Sequence, residues 1–196
     1  THVLTSNGTG AAPTFQEAGG GGLIFLDRTV TSGGPATVEW TNIGTEYDTY
    51  LFLFSNLGRL SGTGSYATGW QVGYGASPTW ITSGYDGISI SGYNSVAPVS
   101  QDLAGGDDAG AFIRNSSSYS GDKSSGEMII CGLTDTNVDT QFRGYCHNDQ
   151  AGSTMAQWHA SGISNNTTAM TAIRLMIKTG TMTNNAVILR YGFKQS

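Results

Sequence analysis

The chain predicts an all-β fold: a two-sheet antiparallel β-sandwich, jelly-roll-like, preceded by an extended N-terminal arm. Three observations carry this. β-branched and aromatic residues come in short clusters, 29 glycines punctuate the 196 residues, and no segment holds a 3.6-residue apolar period between helix caps. Hydrophobic residues at 38%, with aromatics at 10%, are enough to fill a core, and the length suits one generous domain.

Residues 1–22 read as a segment apart. Ser6-Asn-Gly-Thr-Gly10 supplies turn residues, Pro13 biases Ala12 away from helical geometry, and Gly19 to Gly22 form a hinge. The arm's apolar residues, Leu4 and Phe15, cannot make a core alone, so the arm is expected to order against neighbouring subunits or another protein.

The sandwich is expected over 23–196. Its strands begin with Leu23–Thr31, closed by Gly33-Gly-Pro35, and Ala36–Thr41. Tyr47–Asn56 holds the most apolar run and is expected to be a central strand buried on both faces. Trp70–Tyr74 follows, with Trp70 and Tyr74 on one face and expected in the core. A looser region contains Gly87–Ser91. Ala109–Asn115, Gly126–Leu133, Gln141–His147 and Ala156–Ser161 continue as a meander. Thr171–Lys178 and Ala186–Lys194 are expected to close the fold as a hairpin.

Charge narrows the partners. Charged residues are only 12% of the chain and the net charge is −5, so nine Lys and Arg do not form the basic surface that nucleic acid requires. No apolar run approaches the roughly 18 residues that cross a membrane, and the opening residues lack a secretory leader pattern. A surface of Ser, Thr, Asn and Gly suits an extracellular or virion particle. Cys131 and Cys146 fall on successive strands; a cross-strand disulfide and two free thiols both fit that placement.

No catalytic motif emerges. The four Glu (Glu17, Glu39, Glu46, Glu127) show no second acid at a glycosidase-like spacing, and the three His lack a nucleophile motif. His147-Asn-Asp149 has the two-residue spacing of a base and its orienting acid, but it also reads as turn chemistry at a strand end. Asp135-Thr-Asn-Val-Asp139 opens like a calcium loop, yet Thr140 stands where the turn Gly belongs and Cys146 where the bidentate Glu belongs. Asp102 and Asp107-Asp108 are an equally unspecific acidic cluster. Neither a metal nor a cofactor is expected. Trp80, Tyr85, Tyr93 and Tyr119 lie among Gly, Ser, Asp and Asn. Rings in such loops suit stacking on a saccharide, with polar neighbours bonding its hydroxyls, though Trp and Tyr also fill sandwich cores.

Three segments carry a resemblance: Glu46-Tyr-Asp-Thr-Tyr-Leu-Phe-Leu-Phe-Ser-Asn-Leu57, Thr168-Ala-Met-Thr-Ala-Ile-Arg-Leu-Met-Ile177 and Val187-Ile-Leu-Arg-Tyr-Gly-Phe193. They resemble the β-sandwich domain at the distal ends of bacteriophage tail fibres and related virion proteins. The opening Val3–Gln16 is similar to the connector that leads into such a domain from a fibre shaft. The resemblance implies a homotrimer on the virion surface, in contact with other virion proteins, whose distal domain binds a host glycan or protein. Two other settings stand beside it: a capsid-surface fibre or decoration protein, and a carbohydrate-binding module of a secreted bacterial protein.

Overall fold

The computed structural model describes residues 2–5, 9–10, 12, 14–17, 22–43, 46–61, 66–93, 96–107, 109–115, 123–150 and 154–194, with only the backbone considered at 2–5, 15–17, 66–67, 93, 96–107, 110–115, 149–150 and 154–156. In chain order the strands are β1 (His2–Thr5), β2 (Thr14–Glu17), β3 (Leu23–Val30), β4 (Thr37–Thr41), β5 (Tyr47–Ser61) and β6 (Tyr66–Tyr74). Then come β7 (Thr79–Trp80), β8 (Tyr85–Tyr93), β9 (Val96–Asp107), β10 (Gly110–Asn115) and β11 (Lys123–Cys131). The series ends with β12 (Thr140–Gln150), β13 (Thr154–Ser164), β14 (Ala172–Ile177), β15 (Thr181–Met182) and β16 (Val187–Lys194). The described residues form no helix.

The larger sheet runs β3-β16-β5-β11-β12-β13-β8-β9, with β15 paired to β5. The smaller runs β10-β6-β14-β4, with β7 paired to β6. Their inner faces meet in one core, so the fold is the all-β, two-sheet antiparallel sandwich that the sequence predicts. The chain passes repeatedly from one sheet to the other, as a jelly roll does.

Alternation decides which side chains enter that core. On β5, Tyr50, Phe52 and Phe54 point inward; on β12 and β13, Phe142, Cys146, Trp158 and Ala160 do so. From the smaller sheet come Trp40, Trp70, Val72, Ile173, Leu175 and Ile177. Rings interlock across the layers: Trp70 lies 5.0 Å from Phe142 and Trp40 5.0 Å from Phe52. Trp70 and Phe52 are fully buried, and burying side chains of this size supplies the main drive to fold.

Several expectations are corrected. The closing pair is not a hairpin, because β14 joins β6 and β4 in the smaller sheet while β16 lies between β3 and β5 in the larger. Gly180, at φ +110, turns the chain from one to the other, where a side chain would run into the Ser61 carbonyl. Tyr47–Asn56 is buried on one face only: Leu51 and Leu53 are partly exposed on the outer side. The strand also runs on to Ser61, bending at Asn56 (φ 57). Tyr74 is exposed at the end of its strand rather than in the core. In the N-terminal segment β1 and β2 pair, with Leu4 opposite Phe15; what those two side chains touch lies outside the described residues.

The cysteines are free. On the β11–β12 ladder Cys146 stands opposite Gly126 and Cys131 opposite Gln141. The five-residue offset between positions 126 and 131 separates them by about 17 Å. They also face opposite sides of the sheet, so no disulfide can join them. Burial holds the Cys146 thiol far above its ordinary pKa and raises that of Cys131, to which Asp48 adds.

Candidate functional site

The residues that fail to reach the core on β8, β11, β12 and β13 build a groove on the outer face of the larger sheet. Because side chains alternate, each strand sends one set inward and leaves the other uncovered. Antiparallel register aligns those uncovered sets in rows. One row runs Glu127–Tyr145–His159–Ile90, and the next Ile129–Arg143–Ser161–Ile88. These eight residues, with Gln157, line a depression of about 760 Å³. A second hollow of about 590 Å³ continues it past Ile129 and Arg143 toward Cys131, Gln141 and Ile163.

The groove joins flat rings, aliphatic floor and polar edges. Tyr145 and His159 place their ring centroids 4.5 Å apart, tilted by 50°. On the other side of Tyr145, His147 lies 4.8 Å away at 86°, and the Tyr145 hydroxyl hydrogen-bonds its Nε2. Ile88 and Ile90 are 49% and 46% exposed, unusual for side chains with nothing polar to offer. Glu127, Arg143 and Gln157 add a carboxylate, a guanidinium and an amide at the margins. Such a surface stacks a ring's apolar face and bonds hydroxyls around it. Glu127 is the single carboxylate among the lining residues, whereas glycoside hydrolysis ordinarily uses two.

The four rings selected from sequence are not brought together here. Tyr85 is a core residue, 1% exposed, standing edge-on to Trp70 at 5.3 Å. Its hydroxyl accepts from the Val72 N–H (3.0 Å) and donates to the Ile81 carbonyl (3.2 Å), and burial pushes its pKa up to about 12. It therefore presents no ring to a ligand. Trp80 lies half-buried on the outer face of the smaller sheet. There the Arg174 guanidinium stacks 4.3 Å above it, and Arg174 in turn bonds Gln71 and Glu39. Tyr93 and Tyr119 have side chains outside the described residues.

Among the other sequence candidates, Asp135 and His147 have structural partners. Asp135 accepts from the backbone and side-chain nitrogens of Asn137, closing an Asx turn. No group of three or more His, Cys, Asp or Glu converges among the described residues. The side chains of Asp102, Asp107, Asp108 and Asp149 are outside them. Of the pair His147-Asn-Asp149, only His147 can be placed, and it bonds Tyr145. Sequence reasoning passed over Tyr145 and His159. The usable signal was the alternation in Arg143-Gly-Tyr-Cys-His147 and Gln157-Trp-His-Ala-Ser161, where aromatic and polar residues occupy every position that skips the core.

Compared with known proteins, the chain matches no family model, no curated protein and no solved structure. Its functional reading rests on its own residues.

Proposed function

We propose that this domain is a non-catalytic attachment module of a virion, most consistent with the distal part of a tail fibre, and that it holds a host-surface saccharide in the outer-sheet groove. The observation that carries this is the Tyr145–His159 ring pair set beside exposed isoleucines and rimmed by Glu127, Arg143 and Gln157. The charge-poor chain, at 12% charged residues, supports recognition of neutral hydroxyls over charge-driven binding. Weak binding by one head suffices where several copies share a particle, because effective concentration multiplies it.

A glycan array probed with the intact chain, followed by titration of the best ligand, tests this. Tyr145→Ala and His159→Ala should each weaken binding about tenfold or more and leave unfolding stability within about 0.5 kcal/mol. Undiminished binding by both variants removes the groove from the proposal. The same groove would serve a carbohydrate-binding module of a secreted protein, so labelling of intact particles decides the setting. Absence of any glycan or host-cell binding, with particles that fall apart when the protein is missing, replaces attachment with capsid decoration.

A further inference from the structure

We infer that β3 is a homodimerisation edge, through which two copies of this chain join their larger sheets across a two-fold axis. β3 ends the strand order of that sheet and, among the described residues, pairs with β16 alone. Natural edges are usually blunted by charged side chains, proline, bulges or cover. This one has Arg28 and a single bulge but neither lysine nor proline, and it exposes Leu23 (47%), Ile24 (39%), Phe25 (55%) and Val30 (40%). Its acid is already engaged, Asp27 meeting Arg190 at 2.6 Å.

The occupant follows from the strand's internal symmetry. A bulge lies between the pairs Arg190–Asp27 and Tyr191–Phe25, leaving Leu26 as the extra residue. The bulge shifts the alternation by one. The outward set is therefore Leu23 and Phe25 before it, and Arg28 and Val30 after it, opposite Phe193, Tyr191, Leu189 and Val187 of β16.

The backbone agrees with this. Gly22 accepts from the Lys194 N–H at 3.2 Å, and the Thr31 N–H donates to Ala186 at 3.0 Å. Both therefore turn toward the β16 side, and alternate residues point to opposite edges. Leu23, Phe25, Arg28 and Val30 consequently offer their N–H and C=O groups to the open edge.

A regular strand cannot pair with itself between residues of opposite parity without setting an outward side chain against an inward one. With this bulge it can. An axis between Leu26 and Asp27 puts Leu23 opposite Val30 of a second copy and Phe25 opposite its Arg28. All four are outward and edge-facing. Like charges do not meet, and each guanidinium lies beside a phenyl ring, a favourable neighbour for a cation. In this register the outer row Phe25–Tyr191–Leu51–Ile129 of one copy meets the row Arg28–Leu189–Leu53–Glu127 of the other. Isologous contact closes at two copies, where the fibre resemblance implies three.

Sedimentation of the intact chain between 1 and 100 µM tests the order, and cysteine cross-linking tests the register. The expected species is a dimer. Phe25→Lys and Val30→Lys, both at exposed positions, should each raise its dissociation constant about tenfold or more without changing the circular dichroism spectrum. Mixed Leu23→Cys and Val30→Cys chains should form a heterodimeric disulfide under mild oxidation, which neither forms alone. A monomer at 100 µM overturns the inference. So does a trimer or dimer that both lysine variants leave intact, or a mixed pair that fails to cross-link while the dimer persists.

Discussion

The two faces of the larger sheet are made from similar residues and have opposite fates. Along β5, Phe52 is fully buried and Tyr50 and Phe54 nearly so, while their neighbours Leu51 and Leu53 remain partly open. Along β12, Phe142 and Cys146 are buried, and Arg143, Tyr145 and His147 face out. The inner face is covered because the smaller sheet supplies Trp40, Trp70 and Ile173 against it. The outer face has no third layer among the described residues. Hydrophobicity thus sorts residues only as far as the chain can provide a cover. Apolar side chains beyond that point form surface, where exposed patches mark contact with other molecules.

The contrast can be broken most forcefully at β5. Phe52→Ala should cost about 3–5 kcal/mol of unfolding free energy in urea, because a cavity remains where Trp40 and Tyr50 now pack. Leu53→Ala, one residue along, should cost less than about 1.5 kcal/mol, since solvent already reaches it and the site can relax. Equal losses would show that the outer face is covered in solution.

Tyr85 sharpens the comparison from the inner side. Its folded pKa, about 12, stands above the ordinary 10.0, so the fold favours the neutral phenol. That contribution is fully present below pH 10 and is lost as pH rises toward 12, on the order of 2 kcal/mol. Tyr85→Phe should flatten the fall in stability between those pH values, and an unchanged slope would sink the assignment.

The smallest effect separates the thiols. Iodoacetamide at mildly alkaline pH should label half-buried Cys131 slowly and Cys146 only after denaturation, without loss of stability from the first reaction. Rapid native labelling of Cys146 would contradict its inward position.

Much of the fold was legible because alternation is local. Tyr50-Leu-Phe-Leu-Phe54 announces a strand whatever it packs against, and the turn residues mark where strands end. Register between distant strands is not local. Trp158 pairs with Ser91 and His159 with Ile90, almost seventy residues apart, so no window of sequence reveals which rings share a groove. The same limit hid the separation of β14 from β16: each reads as a good strand, and only the competing faces of two sheets determine which one it joins. Tyr85 was misjudged because its Gly and Asp neighbours read as a loop, whereas Trp70 and the Val72 and Ile81 backbone groups draw it into the core.

The place of β16 also governs when the sheet can exist. It lies between β3 and β5, strands made more than a hundred residues earlier. A nascent chain emerging from the ribosome therefore holds the two walls of a slot with nothing to fill it until residue 194 has been synthesised. The loop that must close is long, and ladders between such distant partners form slowly. Throughout that interval Leu51, Leu53 and the β3 edge lack the strand that satisfies them, making this the stage of biosynthesis at which the chain is most open to wrong partners.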